Sequence, residues 1–414
     1  MKVVSFVTEY NPYHYGHKYH LEQSLALTEA SHSIAIMSGS FVQRGEPSIV
    51  DKWTKAKMAI DNGVDLVIEL PFVFSTQSAE LFALGGIKIM EALNIVDFIA
   101  FGSEIGDLKP LHDISTLLVE EPKKFKLLLK KNLDLGMSFA SARSLAINDY
   151  LKHSSLREYD HESILKQSNN ILAIEYLKAL ARLNSRISPV IIKRQGSDYK
   201  DEVASNSFSS ATAIRKTILD KGHNSVGELL PSTTYRLLES FFHKYNRFNQ
   251  LENYYPILKY LFLTIDKEKL KRILDMENGL ENRIVEKSYS SISLTEIIDN
   301  SVSKRYPKTR IQRILIHLLS GISGPSIKSL YSKDLPYIRV LAANNKGLEL
   351  LSTIKKNSTT PILTKFSHFE DFEDETVKEF ASYEIKATDL YYLGLNTDHN
   401  YKNMDYKTSP YIKK

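Results

Sequence analysis

Over the first half of the chain, short and almost continuously apolar runs alternate with longer stretches of helical periodicity. The apolar runs are Val3–Val7, Ser33–Met37, Asp65–Leu70, Asp97–Phe101 and Pro189–Lys193. Their lengths and uniform apolar character suit buried parallel strands with helices between them, which predicts an α/β fold with a doubly wound parallel sheet. Beyond Lys216 this alternation fades and helical spacing dominates, as in Ile311, Ile314, Leu315, Leu318 and Leu319. The chain is too long for one ordinary core. The expected division is an α/β domain over 1–215 and a mostly α-helical C-terminal domain over 216–414.

In open α/β sheets ligands bind beyond the carboxyl ends of the strands, and each run is followed there by residues that can do chemistry. After the first comes Asn11-Pro12-Tyr13-His14-Tyr15-Gly16-His17, and after the second Gly39-Ser-Phe-Val-Gln-Arg-Gly-Glu-Pro47. Glu69-Leu70-Pro71, Gly102-Ser103-Glu104 and Arg194-Gln195-Gly196 follow the other three. The first of these is an HxGH arrangement at a strand-to-helix turn. Such a turn aims free backbone N–H groups and a helix dipole at one spot, which favours a bound phosphate. Two imidazoles three residues apart across Gly16 can hydrogen-bond one phosphate chain from the same side. His14, His17 and His20 could instead hold a metal, although Cys or carboxylate ligands at zinc spacing are lacking, or could simply decorate a polar turn.

Ser209-Ser210-Ala211-Thr212-Ala213-Ile214-Arg215 is a second candidate phosphate element. Hydroxyls at a helix start can cap the helix and touch an anion, and Arg215 can reach the same oxygens as a fixed positive charge. Alone it would read as an ordinary Ser cap with a surface Arg. After the fifth strand of a sheet that begins with HxGH, it is the expected partner element.

Composition narrows the field. A hydrophobic content of 43% and a charged content of 25% are those of a globular protein. With no Cys, disulfides, thiolate metal sites and thiol nucleophiles are excluded. The net charge of +5 is mild, so a polyanion site must come from local clustering. Lys304, Arg305, Lys308, Arg310 and Arg313 place five positive charges within ten residues, with Tyr306 among them and no interleaved acid. That combination suits RNA phosphates, where a plainer reading is a solvated helix face. Met1-Lys2 leads straight into a strand and no apolar run approaches membrane length, so no leader or membrane span is expected and the cytoplasm is the expected compartment.

Taken in order, these segments resemble the bacterial tRNA(Met) cytidine acetate ligases. The resemblance is carried by Asn11–His17, Gly39–Pro47, Asp65–Pro71, Phe101-Gly-Ser-Glu104, Asn169-Asn170-Ile-Leu-Ala-Ile-Glu-Tyr176 and Ser210-Ala-Thr-Ala-Ile-Arg215. It continues in Lys304–Arg313 and Tyr337-Ile-Arg-Val-Leu-Ala-Ala-Asn344, and so covers essentially the whole chain. What it implies is a ligase that uses ATP and acetate to acetylate N4 of the wobble cytidine of elongator tRNA(Met), through an acetyl-adenylate and with loss of pyrophosphate. It further implies an ATP cradle formed by Val7, Thr8, Glu9, Tyr10, Asn11, Pro12, Tyr13, His14, Tyr15, Gly16, His17, Lys18, Tyr19 and His20. Gly102, an Asn of the Asn169-Asn170 pair and Arg194 would complete the nucleotide site.

The chemistry fits the residues. Acetate is a poor electrophile and must first be joined to phosphate, a step that spreads charge over the α-phosphoryl oxygens and the departing pyrophosphate. His14, His17, Ser210 and Arg215 are the expected catalytic groups, with Ser209 beside them; Mg²⁺ is expected to accompany the triphosphate. Arg44 could neutralise acetate or meet the anticodon backbone, or could belong to a solvated loop tip; Gln43, Asp51 and Lys52 are expected near the same rim. Asn169 or Asn170 is a plausible helix cap, and Glu104 a candidate base for the cytosine amine. The tail from His399 to Lys414, where Tyr401, Tyr406 and Tyr411 alternate with lysines, is either a second RNA contact or a packed extension. The competing functions are an adenylyltransferase for a small phosphorylated metabolite and a non-catalytic RNA-binding protein.

Overall fold

The computed structural model describes residues 1–137, 139–152, 159–194, 209–395 and 401–414; Gln195, Gly196 and His399 lie outside them. The five expected strands are present as β1 (Val3–Thr8), β2 (His32–Ser38), β3 (Leu66–Leu70), β4 (Phe98–Ser103) and β5 (Ser188–Lys193). All five are parallel, in the order β5-β4-β1-β2-β3. β2 and β3 are buried along their full length, as near-continuous apolar runs covered on both faces must be. The chain leaves β1 towards β2 and later returns on the other side of β1 as β4. That reversal leaves the carboxyl ends of β1 and β4 uncovered.

The sheet continues past β3. β6 (Ile338–Ala343) pairs antiparallel with β3, and β7 (Ile362–Leu363) and β8 (Tyr411–Ile412) pair parallel with β6. The helical reading of 216–414 does not cover these strands, because a lone run of six buried residues has no period that separates it from a buried helical turn. The sheet is thus built from residues on both sides of position 216.

Buried charges tie those parts together. Lys52 Nζ lies 2.7 Å from Glu69 Oε1 and 2.7 Å from Asp405 Oδ1. Arg339 Nη1 lies 2.9 Å from Glu69 Oε2, also pairs with Asp405, and stacks its guanidinium 3.9 Å from the centre of the Phe366 ring. Burial alone would raise the Asp405 carboxyl, but Lys52 and Arg339 beside it hold it below its usual range. Burial and then the Glu69 charge push Glu384 well above the carboxylate range, and its carboxyl accepts from Phe72 N. Lys52 therefore locks β3 to the C-terminal helix Met404–Lys407, and does not stand at the ligand rim where the sequence reading expected it. The tail is a packed extension: Tyr401 stacks on Tyr392 with centroids 5.1 Å apart, Tyr406 donates to Glu370, and Tyr411 and Lys413 both reach Asp61.

Replacing Lys52 with Met should leave two buried carboxylates sharing one guanidinium and destabilise the chain by about 3–5 kcal/mol. Urea unfolding measures this. A loss below about 1 kcal/mol, the size of an exposed pair, would show that the network does not hold the C-terminal segment in place.

Candidate active site

A cavity of about 480 Å³ opens over the carboxyl ends of β1 and β4. Strand alternation gives it two sides. Phe6 points to the first helix (Tyr15–Thr28), where its ring meets His20 edge-on at 5.5 Å. Val7 points the other way, against the Ala79–Leu93 helix, which approaches so closely that a Cβ on Gly86 would lie 2.4 Å from Val7 Cγ2. One lobe of the cavity is polar and faces the first helix. The other is apolar and is walled by Ala79, Phe82, Phe101, Ile171, Leu172 and Tyr176.

The polar lobe centres on the two imidazoles. His14 caps the first helix: Gly16 N donates to His14 Nδ1 at 3.0 Å, and His14 N donates to His17 Nδ1 at 3.2 Å. An Nδ1 that accepts from a backbone N–H carries no proton, so both neutral rings are held as the Nε2–H tautomer. The rings lie 3.9 Å apart, and each offers one N–H donor. Burial, reinforced by Arg194 and Arg215, lowers His14 to about 3; burial and then His14 hold His17 well below its ordinary value; burial and Arg194 lower His20 to about 4. Tyr10 and Tyr13 pack under the His17 ring at 4.9 and 5.6 Å.

Of the expected cradle residues, Val7, Thr8, Glu9, Tyr10, His14, Gly16, His17, Tyr19 and His20 line the cavity. Asn11, Pro12, Tyr13, Tyr15 and Lys18 do not. Asn11 is buried as a brace, accepting from Ile49 N at 2.7 Å through Oδ1 and from Arg215 Nη1 at 2.9 Å through its carbonyl. Gly102, Arg194, Ser209, Ser210 and Arg215 all reach the cavity. Ser210 is the cap of the Ala211–Lys221 helix, accepting from Ala213 N, so capping and facing the cavity coexist. Arg215 is fixed by Glu46 Oε2 at 3.1 Å.

Three of the sequence readings change. Neither Asn169 nor Asn170 caps a helix, since the Ser168–Arg182 helix starts after Gln167. Asn170 is buried and accepts from Ser103 Oγ and Glu104 N, while Asn169 lines the cavity and accepts from Arg194 Nη1 at 3.4 Å. Glu104 is not poised as a base: its carboxylate accepts from Asn169 N, Asn169 Nδ2 and Asn170 N, closing off that helix start. The Gly39–Lys52 loop is no solvated tip. Phe41 bridges Pro47, Arg44 and Gln43 line the cavity, and Gly45, at φ +80°, is pressed so close that a Cβ would lie 2.4 Å from Arg313 N.

The basic cluster separates into two groups. Arg313 is buried on Asp275 at 3.1 Å, and Arg310 holds the Asp275 carbonyl and Glu277, so both brace the Lys308–Ser320 helix. Lys304, Arg305 and Lys308 are exposed; Arg305 pairs with Glu277 and Lys308 with Asp299. The acids come from elsewhere in the chain, which is why the run looked unopposed in sequence.

Three features were not anticipated. Lys55 is buried, donating to Glu9 O, Ser38 O and Ser48 Oγ at 3.1, 2.8 and 2.7 Å, and burial lowers it to about 7. Thr309, at the start of the Lys308–Ser320 helix, lines the cavity, and Gln312 from the same helix donates to Glu46 at 3.2 Å. Tyr176 and Phe82 look like core residues in sequence, since an apolar wall and an apolar core have the same pattern.

A family model described as HIGH Nucleotidyl Transferase matches residues 1–407. The chain is 44% identical over 393 residues to the tRNA(Met) cytidine acetate ligase of Thermoanaerobacter sp. (strain X514), covering 95% of each. It is 44% identical over 416 residues to that of Clostridium kluyveri, covering 100% of this chain and 99% of the relative. It superposes on the crystal structure of Thermotoga maritima TmcAL bound with alpha-thio ATP with a TM-score of 0.92 at 31% identity, covering 100% of this chain and 99% of the other.

The imidazoles are neutral in the fold and titrate below their ordinary value, so the unfolded chain binds more protons as pH falls. The unliganded protein should lose thermal stability as pH falls from 6.5 to about 3, the range bounded by the unshifted histidine and His14, with His20 at about 4 inside it. In the His14→Asn, His20→Gln double variant that slope should flatten, as melting curves across the window would record. An unchanged slope would mean these rings are not the groups that resist protonation.

Proposed function

The chain belongs to the HIGH nucleotidyl transferase family and, within it, to the tRNA(Met) cytidine acetate ligases, and on that premise we propose that it activates acetate with ATP and acetylates N4 of the wobble cytidine of elongator tRNA(Met). The observation that carries this reading is the pair of Nε2–H donors at the open start of the first helix, with Arg194 and Arg215 on the same cavity. Phosphate oxygens need donors and fixed positive charge, and this lobe offers both.

An acetate oxygen attacks the α-phosphorus of ATP, the bond to the bridging oxygen breaks, and pyrophosphate departs. His14 and His17 donate to the α-phosphoryl oxygens as their charge changes, already oriented and desolvated before the substrate arrives. Ser209, Ser210 and Arg215 hold the leaving pyrophosphate, and Asn169 with Arg194 flanks the nucleotide. The cytosine amine then attacks the acyl carbon and AMP is expelled. Mg²⁺ would accompany ATP as the MgATP substrate; among the described residues no group of three or more His, Cys, Asp or Glu side chains could hold a metal ion.

Lys304, Arg305 and Lys308 form the approach for RNA, because their segment leads into the helix whose Thr309 reaches the cavity. A metabolite adenylyltransferase would have no use for that adjacency. Among the described residues no helix is long and apolar enough to cross a membrane; the proposed compartment is the cytoplasm, where ATP and tRNA occur together.

Incubation with ATP, labelled acetate and bulk tRNA, followed by nucleoside analysis, tests the proposal: label should appear in N4-acetylcytidine. Its absence, with a small metabolite adenylylated instead, would refute it. His17→Ala should cut acetate-dependent AMP formation by ~10²–10³ while leaving tRNA affinity intact. Neutralising Lys304, Arg305 and Lys308 together should weaken tRNA binding and lower the salt slope by about one unit per lost phosphate contact; unchanged affinity would remove this surface from the RNA path.

A further inference from the structure

The resemblance to acetate ligases assigns Glu9 to the ATP cradle, but the geometry gives it a different neighbourhood from that of the histidines. Glu9 follows the last residue of β1, and the strand's alternation, continued by one residue, puts it on the side of Val7, away from the first helix. Its Oε1 accepts from Gln43 N at 3.0 Å. Its main-chain carbonyl is held by Lys55 Nζ, so the end of β1 that carries it is fixed on both sides. Tyr176 lines the same cavity, and its hydroxyl is buried without a hydrogen-bond partner among the described residues. Burial and then the Glu9 charge keep the proton on that phenol.

A donor and an acceptor thus line one cavity together with the apolar side chains of Phe82, Phe101 and Leu172. An enzyme that acts on a base must take it out of the stack, grip its apolar faces and read its pairing edge. Cytosine presents there an amine donor, N4–H, next to a ring acceptor, N3. An acceptor–donor pair complements that edge. Uracil offers the reverse pattern and would set its O4 lone pairs against the Glu9 carboxylate, which is disfavoured.

We propose that the apolar lobe is the pocket for the acceptor cytosine, with the Tyr176 hydroxyl donating to N3 and the Glu9 carboxylate receiving the N4 proton during acyl transfer. This assignment rests on the function proposed above and deepens it. The N4 lone pair is delocalised into the ring, so the amine is a weak nucleophile and becomes acidic as it attacks. In the step, N4 forms a bond to the acyl carbon, the bond from that carbon to the AMP oxygen breaks with its electron pair going to AMP, and one N4 proton passes to Glu9. A proton acceptor placed so typically contributes ~10²–10⁴ in rate. Glu9 is therefore a catalytic residue of the second half-reaction only, and the sheet separates the two steps: adenylation on the side of the first helix, transfer on the other.

The Glu9→Gln variant tests this, because its amide oxygen can still accept from Gln43 N. Acetate-dependent exchange of labelled pyrophosphate into ATP reports the first step, and single-turnover formation of N4-acetylcytidine reports the second. Glu9→Gln should slow transfer by ~10² or more while exchange stays within about threefold of the unaltered enzyme. Tyr176→Phe should slow transfer by about tenfold, again with exchange intact, as expected for one lost buried hydrogen bond. Equal loss of both half-reactions, or unimpaired transfer, would overturn the assignment. Failure of the unaltered enzyme to make N4-acetylcytidine would sink the proposed function instead, so the two failures are read in different samples.

Discussion

The carboxyl ends of β1 and β4 cannot be covered by the connections that build the sheet, because the chain leaves β1 on one side and returns on the other. Much of the functional architecture follows from that opening. The first helix starts at its edge, so its unpaired N–H groups fall where the strands end. Two of the nearby N–H groups are taken up by His14 and His17, which converts a set of backbone donors into a pair of ring donors set further out into the cavity. Because the backbone occupies Nδ1 on both rings, protonation would require breaking that capping arrangement as well as charging a buried group beside Arg194 and Arg215. The low proton affinity of the pair and its capacity to donate towards phosphate have one cause.

Holding loops at such an opening requires buried polar ties, and the chain supplies them from distant positions. Lys55 binds the ends of β1 and β2 together through Glu9 O and Ser38 O. Glu46 lies between Arg215 on the cavity and Gln312 on the Lys308–Ser320 helix. The Lys52–Glu69–Arg339–Asp405 cluster joins β3, β6 and the C-terminal segment. Each of these charges would be unfavourable if left alone, so each constrains more than one element at a time.

The parallel strands and the HxGH turn were legible because each has a local signature: an uninterrupted apolar run, or two imidazoles at the start of a helix. Ser210 and Arg215 were legible for the same reason. The antiparallel strand β6 was not, since six apolar residues have no distinguishing period, and its partner β3 lies some 270 positions away in sequence. Glu104 misled because an acid after a strand looks like a base until the helix start it closes is seen. The basic run misled in the same way: Glu277 and Asp275 stand about 35 positions upstream of Arg310 and Arg313, which they neutralise. What sequence conveys poorly is therefore pairing across distance, whether of strands or of charges.

The alternation of β1 also bears on how two reactions can share one cavity. Adjacent residues of a strand face opposite sides, so Phe6 and Val7 already belong to different environments, one against His20 and the other against Gly86. In the proposed function an activated acyl group would form at the strand tip, between the two sides. A polar lobe suits a charged nucleotide, and an apolar lobe suits a neutral base, so the substrates are sorted by solvation before any specific hydrogen bond is made. Thr309 lines the cavity, and in the proposed function the exposed Lys304, Arg305 and Lys308 beside it would hold an RNA backbone while one base enters. In the proposed function the helical half does more than add affinity: through Gln312, Glu46 and Arg215 it also fixes the position of a charge in the polar lobe, so the surface proposed to meet RNA and the site proposed to meet phosphate are tied to one helix.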